Sequence, residues 1–353
     1  MKFALKNKIN DLDTFLLTDS SELIYIKENV LYNKGQNSIY DAKNEISGLK
    51  SSGEWICFNH TLESPKGFIG KYNDFQVFDK QIFKAIEKDC AYYGDRFSTT
   101  KLHLGETFTK VWNVEERLMV FMANNGFLVY TKDGININFC LDDSNLQLIW
   151  KYGLAAKYSW KQSADCIDGP SVKKQAEVIK FLGIYQTELW LVLNSGAILA
   201  LDIKAGVESR HIKEGKMIKG ESDFEGFKGC FGYHTVLDEK NGLIFNLSRH
   251  FYIEFDLNSN AEYFSSYSFK GSSLTHKLKL NCIGGFDMEN IYGYEGSDNN
   301  RFAVFSRQQK EIIWNSEIEE AKGKFPAIRD LKYGGGKIYV LDHHNSLHIF
   351  QKD

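Results

Sequence analysis

The stretch that most restricts the fold is Glu188–Gly206. Two short apolar runs, Leu189–Leu193 and Ala197–Leu201, flank the turn Asn194-Ser195-Gly196, and the second run closes on Asp202. Runs of β-formers around an Asn/Ser/Gly turn predict a β-hairpin. Apolar residues at nearly every position, with little alternation, predict strands covered on both faces.

Hairpins of this kind recur along the chain. They are read at 29–42, 68–79, 118–131, 243–256, 290–306 and 337–350, with 188–202 as the fourth in order. Taking each as strands B and C, a further β-like run precedes it as strand A: Trp55–Phe58, Lys110–Val114, Val178–Leu182 and Ile328–Leu331. Another follows as strand D: Ile135–Phe139, Val207–Ile212 and Glu311–Trp314. Four short antiparallel strands repeated seven times predict an all-β, seven-bladed β-propeller of four-stranded blades. The blades are expected near 21–50, 53–87, 109–140, 177–212, 232–266, 279–317 and 326–353, in a single domain spanning 1–353. The last unit lacks a D strand of its own, and the N-terminal segment 1–6 is expected to supply it, closing the ring and covering an exposed edge.

Four of the hairpins end in Asp41, Asp79, Asp202 and Asp256. A short acceptor at that place bonds the amides of the following turn, a local structural task. The connections at 88–108, 141–176 and 213–231 are long for a propeller, and long connections are where function concentrates. They are expected to open on the same face as the B–C turns.

The element 189–206 resembles the quinoprotein-like (PQQ-like) repeat, with its apolar strand, turn, Ala-Leu-Asp and Gly turn. It is also similar to tryptophan–aspartate (WD) repeat blades. The resemblance implies a propeller. The Gly and Trp docking signature of quinoproteins and the Gly-His and Trp-Asp signatures of WD repeats do not occur here, so no quinone cofactor is implied.

Chemistry-bearing motifs are sparse. There is no Gly-x-Ser-x-Gly elbow, no phosphate loop and no His-Glu-x-x-His, so no enzyme activity, cofactor or metal is expected. The adjacent His343 and His344 have no third ligand at a useful spacing. Six widely spaced cysteines form no Cys-x-x-Cys or close Cys/His cluster and are expected to be reduced thiols. A net charge of −3 argues against a general nucleic-acid or anionic-membrane binder. The N-terminus lacks the apolar stretch of a secretory signal, and no 18-residue apolar run occurs. A cytoplasmic location is expected.

The most unusual segment is Gln147–Lys174, where Trp150, Tyr152, Tyr158 and Trp160 alternate with lysines and lead to Asp165 and Asp168. Aromatics of this kind anchor protein interfaces. Together with the turn residues Asn73, Asp74, Asn124, Asn125, Arg249, His250, Asp298, His343 and His344, they form the expected partner-binding surface. The expected function is non-catalytic protein binding by a stand-alone monomer. Frequent Lys, Asn and Ile with only three prolines suggest an AT-rich bacterial source and an immunity protein that blocks one basic toxin domain, with no membrane or nucleic-acid partner. The alternatives are a carbohydrate-active or glycan-binding propeller using its central pocket and a multi-partner assembly scaffold.

Overall fold

The apolar runs pair as their composition dictates. Glu188–Leu193 and Ile198–Asp202 lie antiparallel, with Leu189 opposite Leu201 and Leu191 opposite Leu199. Every side chain from Leu189 to Leu193 is fully buried. The computed structural model describes residues 2–33, 35, 37–41, 46–60, 65–71, 74–87, 89–95, 97–115, 118, 120–124, 126–154, 158–162, 172–219, 227–228, 230–269, 278–296 and 300–352.

The fold is an all-β propeller with eight blades, where the sequence predicts seven. In order A to D, blade 1 is Leu12–Leu17, Leu23–Lys27, Val30–Asn33 and Ser38–Asp41. Blade 2 is Ile46–Ser52, Trp55–His60, Lys66–Lys71 and Asp74–Asp79. Blade 3 is Ile82–Glu87, Cys90–Gly94, Thr99–Leu104 and Phe108–Val114. Blade 4 is Val120–Asn124, Phe127–Thr131, Asn136–Leu141 and Leu148–Gly153. Blade 5 is Val178–Tyr185, Glu188–Leu193, Ile198–Asp202 and Glu208–Ile212.

Blade 6 is Val236–Asp238, Leu243–Ser248, Phe251–Asp256 and Tyr263–Ser268, and blade 7 is Cys282–Phe286, Asn290–Tyr294, Arg301–Ser306 and Glu311–Glu317. Blade 8 is Ile328–Gly334, Lys337–Asp342 and Leu347–Lys352, completed by Phe3–Ile9 as its D strand. That N-terminal strand pairs antiparallel with the C strand, Phe3 opposite Lys352 and Ile9 opposite Leu347.

The additional blade is blade 3. Its three inner strands occupy the residues read from the sequence as the end of one blade and a long connection. The apolar signal is diluted there because Thr99, Thr100 and Lys101 are themselves buried. The Lys101 ammonium lies 6.0 Å from the Tyr92 ring centroid, so the aliphatic stem serves as core while the charge faces a π-surface. Missing this blade shifts the letters of its neighbours. The hairpins at 29–42 and 68–79 are C–D pairs, and that at 118–131 is an A–B pair. Antiparallel hairpins look alike in sequence, and only pairing tells which two strands of four they are.

The chain groups into two compact units, Met1–Arg117 with Leu278–Asp353, and Leu118–Lys277. In the first, Cys57, Ile69, Phe83, Ala91, Leu102 and Leu104 pack between blades 2 and 3, and Tyr292, Phe302, Leu331, Val340 and Phe3 between blades 7 and 8. In the second, Trp190, Val192 and Ala200 pack on Ile244, Ile253 and Phe264 between blades 5 and 6. Blade 6 is widened by Glu214–Lys219, which runs parallel to its D strand, with Phe227–Lys228 beyond. Among the described residues, no helix is long and apolar enough to cross a membrane.

In every blade, antiparallel strands put the A–B and C–D turns at one end. The B–C turn and the link to the next blade lie at the other.

Candidate functional site

The sequence-predicted residues divide between these ends. At the B–C end of blade 8, Asp342 is fully buried. It accepts hydrogen bonds from the His344 amide at 2.8 Å, the Ser346 amide at 2.9 Å and the His348 Nε2 at 2.8 Å. Burial alone would raise the Asp342 carboxyl, but the hydrogen bonds from His348 and the two amides hold it below its ordinary value. His343 and His344 are exposed on this turn. The His343 amide donates to Ala327 O, and the His344 imidazole pairs with Glu320 O at 3.0 Å.

Glu320 also converges on the Asp342–His348 pair, but its carboxylate takes the Lys8 ammonium at 3.0 Å. These donors and acceptors satisfy one another, which is the signature of a structural turn.

Arg249 and His250 form the B–C turn of blade 6, with Arg249 exposed at φ 56°. Asp74 begins the D strand of blade 2, and Asn124 ends the A strand of blade 4. Both therefore stand at the A–B and C–D end, opposite to the placement expected from the sequence. Asn73, Asn125, Asp165, Asp168 and Asp298 lie outside the described residues.

Within the aromatic segment 147–174, Leu148–Gly153 is the D strand of blade 4. Trp150 and Tyr152 sit on the D strand of blade 4. Trp150 is buried, stacks on Phe139 with centroids 4.7 Å apart, and donates from Nε1 to Ile203 O at 2.8 Å. Gly206 (φ 65°) makes room for it, since a Cβ there would lie 2.5 Å from Trp150 Cγ.

Tyr158 is also buried, its hydroxyl 2.6 Å from that of Tyr152 and donating to Glu208. Burial first, then the Glu208 and Tyr152 contacts, push the Tyr158 phenol upward, so it stays protonated. Trp160 is half-buried on a two-stranded ribbon, Trp160–Gln162 with Val172–Lys174. Trp150 and Tyr158 thus serve the core, and a strand of blade 4 would go with the segment if it were removed.

The thiols are equally inert at depth. Burial raises Cys57 to about 12 and Cys230 to about 11.

A different surface, not singled out in the sequence as a site, has the right chemistry for a ligand. At the A–B and C–D end of blades 2 and 3, a groove of about 430 Å³ is lined by Trp55, Lys71, Asp74, Gln76, Leu104, Gly105, Glu106 and Phe108. Trp55 and Phe108 meet edge to face at 5.4 Å, and both are half-buried. The Lys71 ammonium lies 4.9 Å from the Trp55 ring centroid and pairs with Glu54 at 3.0 Å. The Asp74 and Glu106 carboxylates are exposed and have no partner among the described residues.

Larger grooves elsewhere include groups already engaged. In one of about 530 Å³ on blades 5 and 6, Arg210 pairs with Glu188 and Glu208 holds Tyr158. In one of about 590 Å³ on blades 8 and 1, Asn33 caps its own turn through the Gly35 and Asn37 amides.

Half of the groove comes from blade 3, which was unread in the sequence. The one signal that could have found it is the alternation Cys90-Ala-Tyr-Tyr followed by Leu102-His-Leu104.

No family model matches the chain, and no curated protein does. Solved structures show the fold. BamB from Moraxella catarrhalis is 12% identical with a TM-score of 0.59, covering 99% of this chain and 100% of that one. Sqt1 from Saccharomyces cerevisiae is 9% identical with a TM-score of 0.62, covering 99% of each chain. The computationally designed protein Ika8 is 8% identical with a TM-score of 0.62, covering 97% of this chain and 96% of that one. The chain is a β-propeller of the architecture these proteins share.

Proposed function

We propose that the chain is a non-catalytic binding propeller that seats a basic side chain of a protein partner in the Trp55–Phe108 groove. One observation carries this reading: the Trp55 ring of the groove, packed against Phe108, already holds an ammonium, that of Lys71, beside two carboxylates left unpaired among the described residues. An aromatic face attracts a cation through its quadrupole, and the contact is worth about 0.5–2 kcal/mol depending on desolvation. Asp74 and Glu106 add charge complementarity, which raises the rate of capture of a basic partner and disfavours acidic ones.

A basic partner agrees with the net charge of −3. Within this reading, the chain is an immunity protein that blocks a basic toxin domain in the bacterial cytosol. The Lys-, Asn- and Ile-rich, proline-poor composition supports that source, as does the lack of a hydrolase motif in the sequence.

The test is co-expression of the chain with the product of the adjacent gene, followed by co-purification. A stoichiometric basic partner is expected, toxic when expressed alone and released by salt. Trp55→Ala and Glu106→Lys are expected to weaken the complex by roughly tenfold or more, the range of an interface hot spot. A complex that keeps its affinity in both variants, or a chain that binds or hydrolyses glycans and retains no protein, overturns the reading.

A further inference from the structure

Cys90 and His103 are thirteen positions apart in sequence and directly opposite each other on the B and C strands of blade 3. Side chains of opposed residues project to the same side of a sheet. Asp89, just before Cys90, reaches between them. Its Oδ1 lies 3.7 Å from Cys90 Sγ, and its Oδ2 lies 3.6 Å from His103 Nδ1. One donor atom from each of the three residues falls within 4.8 Å of the other two. We infer that Asp89, Cys90 and His103 form a Zn²⁺ site on blade 3.

Geometry and donor chemistry both support it. An ion bound tetrahedrally at usual lengths of about 2.3 Å to sulfur and about 2.0–2.2 Å to nitrogen and oxygen separates its ligands by about 3.4–3.6 Å. The carboxylate's separations from sulfur and nitrogen, 3.7 and 3.6 Å through its two oxygens, lie near those edges, and one donor atom from each residue falls within 4.8 Å of the others. The Cys90 thiol donates to Asp89 Oδ1, and the Asp89 carboxylate stands within ion-pair distance of the His103 imidazole, so the carboxylate draws both side chains toward one point.

A thiolate, an imidazole and one carboxylate select a borderline, late first-row ion over Mg²⁺ or Ca²⁺, which take oxygen donors. His103 and Asp89 are exposed and Cys90 is half-buried. Three protein ligands at an exposed position leave a fourth for water or an incoming donor. The site also adjoins the groove: the Leu104 amide donates to Asp89 O, and Leu104 and Gly105 line the groove wall. A partner lodged there could supply the fourth ligand. The site itself does not depend on the protein-binding reading, and its test uses the chain alone.

Binding takes Cys90 as the thiolate and His103 as the neutral imidazole, so a proton leaves on binding. Titration of the full chain with ZnCl₂ is expected to show one site with proton release. Co²⁺ in its place is expected to give the charge-transfer absorption of a thiolate ligand and tetrahedral ligand-field bands. Cys90→Ser should remove the charge-transfer band. Cys90→Ser, His103→Ala and Asp89→Asn should each weaken binding by at least about tenfold.

In the unmutated chain, Zn²⁺ should protect Cys90 from alkylation, read by mass spectrometry, which keeps the test independent of how the variants fold. An unmutated chain that takes up no Zn²⁺ overturns the proposal. So does a Cys90→Ser chain that binds as tightly, or Cys90 alkylation that Zn²⁺ does not slow.

Discussion

In blade 5 the two central strands are buried at every position from Leu189 to Leu193 and from Ile198 to Leu201, whereas the matching strands of blade 3 bury Thr99, Thr100 and Lys101. Both make the same antiparallel ladder. Blade 5 is held by apolar area on both faces. Blade 3 depends more on satisfied polar groups: Thr100 Oγ1 donates to Asn113 Oδ1 at 2.7 Å, and Lys84 Nζ donates to Ser98 O at 2.6 Å and Thr99 Oγ1 at 2.9 Å.

A buried polar pair adds little net stability when made and costs more when half of it is lost. It does leave strand positions free for residues with chemistry. Half of the groove and all three donors of the Asp89–Cys90–His103 cluster belong to the end of blade 3, while blade 5 spends its side chains on packing. The residues with chemistry to offer thus stand on the blade that is less apolar, and the most apolar blade is pure scaffold.

The largest effect should come from removing bulk from blade 5. Trp190 is fully buried between blades 5 and 6. Trp190→Ala should cost about 4 kcal/mol in denaturant unfolding. Leu102→Ala in blade 3 should cost less, about 2–3 kcal/mol, because less bulk is lost and its cluster includes the partly buried Phe78, Ile86 and Tyr93, which can shift toward the gap. Equal losses would remove the contrast between the blades.

Next in size is Gly206→Ala. It places a Cβ against Trp150 and a side chain at φ 65°, and should destabilise by about 1–3 kcal/mol, seen as a lower melting temperature.

The smallest effect is electrostatic and tests what blades 3 and 4 share. Asp95 and Asp133 stand in their B–C turns. The Phe97 amide and then Ser98 hold Asp95 below its ordinary value. Partial burial would raise Asp133, but hydrogen bonds from Asn136, Ile135 and Thr131 prevail and bring it to about 2. A carboxyl depressed on folding stabilises above its unfolded value of about 3.9, and that contribution is lost as pH falls toward about 2. Unfolding curves between those values should therefore flatten in Asp133→Asn and keep their slope in a distant Asp79→Asn control. Parallel curves would show that the turn hydrogen bonds do not persist in solution.

Much of the scaffold was legible in residues. Blades 5 to 8 lie where their apolar runs place them, and the N-terminal strand completes the last blade as the missing D strand requires. The Asp column also does its expected local task in part. Asp202 Oδ1 accepts the Lys204 and Ala205 amides at 2.9 and 2.7 Å, and Asp256 Oδ1 accepts the Asn258 amide at 2.9 Å. Asp41 and Asp79 end outer strands instead, with Asp79 pairing to Lys66 at 3.2 Å.

The site was less legible. Trp150 and Tyr158 looked like interface anchors because an aromatic residue reads the same whether it faces solvent or a neighbouring blade. Cys90 and His103 looked unrelated because hairpin register, not spacing, makes them neighbours.

Sequence alone determined that this chain is a β-propeller of repeated four-stranded units, since burial of a strand on both faces is written directly in its run of apolar residues. The tertiary structure alone decided that there are eight blades, which strand of each blade a given hairpin supplies, and which end of the blade a turn faces. Those are properties of pairing, and pairing depends on backbone hydrogen bonds that every residue but proline can make. The groove of Trp55 and Phe108 and the Asp89–Cys90–His103 cluster exist only once that pairing is set.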